Sequence, residues 1–237
     1  MPTRSSRRTA RGLGDAFRDG RQPMRDLDGH RDHVAQEELL TGGDQWARSV
    51  DAAIELFRVE AFHAVTLELV AARAGLPLHE VVRQFSTSDE LVLAVIQVWN
   101  ARRMEPILPI AQGHGAAAFL RAIVVANVAD PALMRLLTAT VNIAATPAHP
   151  MAPLLQRQWI QFHALVQRAL AHDVAIGREP DTMEPARGAE QLIAVYEGLQ
   201  LQSMLRPHMD VIEAYDRAVT RLRDGWSNTY TPPVWEL

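Results

Sequence analysis

The stretch Pro77-Leu78-His79-Glu80-Val81-Val82-Arg83-Gln84-Phe85 sets several hydrogen-bonding side chains on one short helix. The guanidinium of Arg83 is a fork that binds two acceptors at once, which suits a phosphate or the edge of guanine, and Glu80 can accept from the amino group of cytosine. His79 and Gln84 project as further polar groups. A second set, Trp99, Phe119, Met134, Trp159, Phe162, His163, Tyr196, Gln200 and Met204, mixes apolar walls with a few polar tips, the composition of a small-ligand cavity. Within it His163 and Gln200 stand out, because a buried polar group needs a partner and a ligand can provide one.

Reaction centres are missing. The 237 residues include no cysteine, which excludes disulfides, thiolate metal sites and a cysteine nucleophile, and points to a reducing compartment, the cytoplasm. All 24 basic residues are arginine, so the P-loop lysine, a Schiff-base lysine and a Ser-x-x-Lys pair are excluded as well. Neither G-x-S-x-G nor H-E-x-x-H occurs. Gly113-His114-Gly115-Ala116-Ala117-Ala118 satisfies G-x-G-x-x-A, but prolines precede it where a dinucleotide site needs a strand, so it reads as a helix start. His30 and His33 have ligand-like spacing in an acidic stretch and read as a solvated pair. The chain is expected to be no enzyme and to carry no cofactor or metal.

The net charge of −4 is unevenly spread. Residues 1–25 hold seven arginines and two acids, whereas 26–43 hold one arginine and five acids. The first segment is a basic arm; its Arg7-Arg8 pair lacks the apolar run of an export signal. No uncharged run escapes its prolines long enough to span a bilayer, so no membrane role is expected.

The positioning elements all read as helices, with no alternating β-branched runs. Trp46, Val50, Ile54, Phe57 and Ala61 make an apolar stripe on a helix of about 44–61. Thr66 caps a second helix running to Arg73, Gly75 gives the backbone freedom for a corner, and Pro77 suits the first turn of a third helix ending near Phe85. Thr87 with Glu90 forms a T-x-x-E capping box opening a fourth, which continues to about Arg103. Five further helical segments follow, with Asp130 as an expected cap before Pro131. The longest spans 150–176 and two late ones span 185–206 and 210–226. The late pair carries apolar residues on more than one face, so each has two neighbours, one of them a second subunit.

From Ile54 to Leu91 the chain resembles the N-terminal domain of the tetracycline-repressor (TetR) family, through Leu56-Phe57, Phe62, Thr66, Val70-Ala71, Ala74-Gly75-Leu76, Phe85, Asp89 and Leu91. Weaker likeness extends over about 44–225, in Ala129-Asp130-Pro131-Ala132-Leu133 and in the late "AVYEGLQLQSMLRP". The resemblance implies an all-α chain of about nine helices: a disordered Arg-rich arm and linker over 1–43, a helix-turn-helix domain over 44–90, a ligand-binding and dimerisation domain over 91–226, and a tail over 227–237. It implies contact with palindromic double-stranded DNA through Thr66, Arg73, Pro77, Leu78, His79, Glu80, Arg83, Gln84 and Ser88. It also implies a small-molecule effector in the cavity set above, and a homodimer joined through Leu192, Leu199, Ile212, Tyr215, Val219, Leu222 and Trp226.

The chain departs from the family where Pro77 replaces a cap serine, Val82 a tyrosine that meets the DNA backbone, Ser88 a phosphate-binding lysine and Ala61 a glycine. Residues 44–105 carry six arginines against nine acids, net −3, an awkward balance beside phosphates. Two accounts fit. In one the head still binds DNA, modestly and salt-sensitively, and the protein is a ligand-responsive repressor. In the other the head has lost DNA and a ligand-binding dimer acts through protein partners.

Overall fold

The computed structural model describes the backbone of residues 31–228 and side chains from residue 42 onward; the basic arm, His30, the side chain of His33 and most of the C-terminal tail lie outside the described residues. Ten α-helices and one 3-10 turn make up the described residues, with no strand among them: α1 Arg31–Val59, the turn Phe62–Ala64, α2 Leu67–Ala74, α3 Leu78–Gln84, α4 Ser88–Met104, α5 Leu108–Gly113, α6 Ala116–Ala129, α7 Pro131–Ala144, α8 Ala152–Ala175, α9 Pro185–Leu205 and α10 Val211–Trp226. The first helix begins earlier than its apolar stripe, running through Gly42 and Gly43. A helix interior tolerates glycine at about 1 kcal/mol each, so the pair weakens α1 without ending it. The tenth helix is α5, a single short segment between Pro106 and Gly113 that the prolines concealed.

Caps explain most boundaries. The Thr66 hydroxyl accepts from Leu69 N at 3.3 Å and the Thr87 hydroxyl from Glu90 N at 3.2 Å, while the Glu90 carboxylate accepts from Ser86 N at 2.7 Å. Asp210 caps α10 through Ile212 N and Glu213 N. Asp130 does not cap α7. Its carboxylate accepts instead from the indole Nε1 of Trp99 at 2.9 Å and pairs with Arg58 at 3.1 Å.

Two apolar cores result. The first joins α1 to α4 with part of α7 and the start of α8, centred on Val50, Phe57, Val70, Val81, Leu91, Val95 and Leu133. The second lies among α5, α6, α8, α9 and α10, around Phe119, Leu120, Ile123, Leu170, Leu192 and Tyr215. Each such side chain, fully removed from water, contributes about 1.5–3 kcal/mol. Polar ties lock α10 to the second core: the Tyr215 hydroxyl donates to Ala117 O at 2.9 Å, Trp226 Nε1 donates to Gln191 at 2.6 Å, and Arg121 grips both oxygens of Asp216.

The Gly-rich stretch at 113–118 is indeed a helix start. Its cap is remote: fully buried Asp173 of α8 accepts from Ala116 N at 2.8 Å and pairs with Arg178, which in turn donates to Gly113 O at 3.0 Å. Gly115 has φ +89°, and a Cβ there would stand 2.6 Å from the Asp173 carboxylate. Gly115→Ala therefore combines backbone strain with a collision and should cost more than about 1 kcal/mol. Thermal denaturation checks this, the expected result being a melting temperature several degrees lower.

Candidate functional site

The corner between α2 and α3 is braced from below. Gly75 sits at φ +63°, the left-handed conformation that ends α2, and Arg48 of α1 donates to Ala74 O at 2.6 Å just before it. The third helix buries Val81 and is followed by buried Phe85, so its opposite side must face outward. Pro77, Leu78, His79, Val82 and Arg83 are exposed, with the His79 and Arg83 side chains 78% and 65% accessible. Exposed Ser88 opens α4 beside them, and Thr66 is exposed at the start of α2. Arg73 is exposed and pairs with Glu55 across α1 at 3.4 Å.

Two expected base readers are placed otherwise. Gln84 falls on the side of Val81 and turns inward, its Oε1 lying 3.0 Å from the Ser49 hydroxyl of α1. Glu80 is largely covered; it runs along the helix to Arg83, with His79 Nε2 at 3.5 Å. An acid three residues before an arginine meets it on the helix surface, so Glu80 positions Arg83 before it can serve a base. All six arginines of the 44–105 stretch have partners within the chain, four of them acids: Arg48 on the corner carbonyl, Arg58 on Asp130, Arg73 on Glu55, Arg83 on Glu80, Arg102 on Asp51 and Arg103 on side-chain amides. The pairs of Arg58, Arg73 and Arg102 are exposed and worth only about 0–1 kcal/mol, so a phosphate can displace the acid, whereas Glu80 is largely covered and gives up Arg83 less readily.

The body gathers most of the cavity set. Phe162 is the hub of an aromatic group, with ring centroids 6.5 Å from Phe119, 6.2 Å from Trp159 and 6.1 Å from Tyr196. Tyr196, Gln200 and Met204 follow one another at helical spacing on α9, and the Met204 sulfur meets the Thr138 hydroxyl of α7. Buried Asn127 of α6 donates to the Tyr196 hydroxyl at 3.2 Å and lies 3.5 Å from the Met134 sulfur. Arg103 of α4 donates to Asn127 Oδ1 and, at 2.6 Å, to Asn100 Oδ1. Burial presses the Arg103 guanidinium below its usual range, opposed by Tyr196 and Asp130; burial likewise raises the Tyr196 phenol, opposed by Arg103 and Asn127. Trp99 is buried one turn before Arg103 and belongs to the first core, where Arg58 stacks on its ring. His163 is half-buried beside Phe162, and this polar network does not run through it.

Sequence reasoning missed Arg103, Asn127 and Arg48. Asn127 had a signal: it is the lone amide of a strongly apolar helix, and a buried amide must be satisfied. Arg103 stands four residues after Trp99, on the same face. Arg48 had none, since its role depends on the packing of α1 under the corner.

The residues chosen for a subunit contact mostly close the chain's own core. Leu192, Tyr215, Val219 and Trp226 are buried, and Leu199, Ile212 and Leu222 pack against them. The stripe on α10 faces α6 and α9 of the same chain. Apolar side chains left exposed nearby are Ile160 on α8 and Leu201 and Leu205 on α9.

Residues 50–95 match the family model described as bacterial regulatory proteins, tetR family. Solved structures similar in fold include a TetR transcription regulator from Haloarcula marismortui (TM-score 0.62, 16% identity, covering 77% of this chain and 98% of that one). The SmeT–triclosan complex, SmeT being the repressor of a Stenotrophomonas maltophilia multidrug efflux pump, aligns at TM-score 0.61 and 20% identity over 81% of this chain and all of that one. Thermus thermophilus FadR, a transcriptional repressor in complex with lauroyl-CoA, aligns at TM-score 0.56 and 19% identity over 81% of this chain and 99% of that one. No curated protein matches the chain.

Asp130 joins the end of α1 to α4. Asp130→Ala strands the indole N–H of buried Trp99 and should cost about 1–3 kcal/mol, whereas Arg58→Ala removes a half-exposed pair and should cost under about 1 kcal/mol. Urea denaturation with unchanged slope is the measurement; equal losses would mean that the carboxylate is not organised around Trp99.

Proposed function

We propose that this chain, whose residues 50–95 match the tetR-family model, is a TetR-like ligand-responsive repressor that binds palindromic operator DNA as a homodimer in the cytoplasm. One observation carries the reading: α3 stands outward with Leu78, His79, Val82 and Arg83 exposed, on a corner braced by Arg48, next to the exposed start of α4. A lone α-helix fits the major groove, and the open amides at the start of α4 with Ser88 can meet a phosphate without a side-chain cation. Arg83 exchanges Glu80 for a phosphate or guanine. The body regulates; it catalyses nothing.

Subunit contact is assigned to the exposed face of α8 and α9. These helices are consecutive and packed together, and each leaves large apolar side chains exposed, Ile160 on α8 and Leu201 and Leu205, one turn apart, on α9. Two copies of this patch make an isologous contact and hold two α3 helices about one DNA turn, roughly 34 Å, apart. Effector response runs through α4, whose first turn lies beside α3 and whose last turn carries Arg103 into the body's polar network. An effector shifts the two head positions only by its difference in affinity between them. The bound triclosan and lauroyl-CoA of the two related folds support a small-molecule effector.

A second reading is favoured by the net −3 of residues 44–105 and by the internal pairing of their arginines: a head without DNA, on a ligand-binding dimer that works through a protein partner. Gel shifts on DNA flanking the gene across a salt series separate the two. The repressor reading expects a palindrome-specific complex at low salt, and its absence supports the second reading. Ser88→Lys should strengthen binding to every sequence and steepen the salt slope by about one. Glu80→Gln, which frees Arg83, should do the same while relaxing sequence preference, and Leu205→Glu should weaken the full palindrome while leaving the half-site unchanged.

A further inference from the structure

Near the last turn of α4 lie a cation and buried donors with no carboxylate bonded to them. Arg103 is bonded by the neutral amide oxygens of Asn100 and Asn127, and its Nε is buried without a partner. The neighbouring carboxylate, Asp130, is already engaged by Trp99 and Arg58. On α9 the Gln200 side chain is 2% exposed and its Nε2 also lacks a partner, one turn beyond the Tyr196 hydroxyl that belongs to the Arg103 network. A buried guanidinium favours a carboxylate above any neutral acceptor, because its fork matches two oxygens and the charges cancel. Buried donors left unpaired discriminate strongly against ligands that cannot satisfy them. Beside this polar end lies the aromatic group of Phe119, Trp159 and Phe162, whose rings favour an offset or edge-on aromatic neighbour.

We infer that the effector is an aromatic carboxylate, its acid group received by Arg103 and Gln200 and its ring lodged against Phe162. The inference rests on the ligand-responsive reading above and names the chemistry of that site. One carboxylate oxygen would receive Arg103 Nε and the other Gln200 Nε2, and the negative charge would offset a cation whose own hydrogen bonds go to amide oxygens and whose nearby carboxylate, Asp130, is bonded elsewhere. Because Arg103 ends α4, the same contact would pull on the helix that begins beside α3.

The test uses the full chain and calorimetric titration with 2-naphthoate and benzoate against their uncharged counterparts 2-naphthamide and benzamide. The expected result is at least one acid bound roughly tenfold or more tighter than its amide. Arg103→Met should erase that preference, and Arg103→Lys should keep it in weakened form because the charge remains and the fork is lost. Gln200→Leu should weaken the acid and leave the amide unchanged. Amides binding as well as acids, no binding by either, or a preference that survives Arg103→Met would overturn the inference; if Arg103→Met does not fold, the acid-to-amide ratio of the unaltered chain and the Gln200→Leu variant decide. Operator binding by the ligand-free protein is measured in parallel. A protein that shifts operator DNA but ignores both acids remains a regulator with a different effector, whereas one that binds the acids and no DNA keeps this site and loses the repressor reading.

Discussion

Helix α4 is the constraint on which the rest depends, because it is part of the first core and its last turn reaches the second. Leu91, Val92, Val95, Ile96 and Trp99 seal the first core from one end, while Met104 packs on the second and Arg103 enters the body's polar network. A helix transmits displacement along its axis with little loss, since each turn is fixed to the next by backbone hydrogen bonds. Thr87 and Glu90 fix where α4 begins, and the Asp130 carboxylate, between α6 and α7, holds it to the end of α1 through Trp99 and Arg58. One continuous helix therefore joins Arg103 to the corner that presents α3.

The head carries its cations in reserve. A net charge of −3 over residues 44–105 suggests a poor partner for DNA, yet Arg58, Arg73 and Arg102 sit in exposed or half-exposed pairs that cost little to exchange. Glu80 is the informative case. Lying along α3 against Arg83, it pairs with a guanidinium that remains at the surface. Preorganisation of this kind trades general attraction for selectivity, consistent with a helix that holds no lysine.

Much of the architecture was legible because its signals are local. Thr66, Gly75, Thr87 and Asp210 fix backbone conformation within a few residues of themselves, and the apolar spacing of Val50, Ile54 and Phe57 follows from helical geometry alone. Signals that depend on a distant partner misled. Asp130 carries every local mark of a cap before Pro131, but Trp99 and Arg58 claim its carboxylate. The α10 stripe has the spacing of a subunit contact, but periodicity does not say whose core it enters, and α6 and α9 of the same chain fill it. The candidate site was half legible: its aromatic and Gln200 side could be picked by residue type, whereas Arg103 reads as an ordinary charged residue in the last turn of a helix and Gln84 as an outward polar one. Burial decides both, and burial is a property of the packed chain.

The central claim is that two copies of α3, held by a twofold pair of bodies, stand in adjacent grooves. The absence of cysteine allows a single spin label to be placed at Val82→Cys, on the exposed side of α3. Pulsed electron-electron distance measurement on the operator-bound protein should give one intersubunit distance near one DNA turn, roughly 34 Å, which changes when effector binds. No intersubunit distance, or one that adjacent grooves cannot accommodate, would contradict the account.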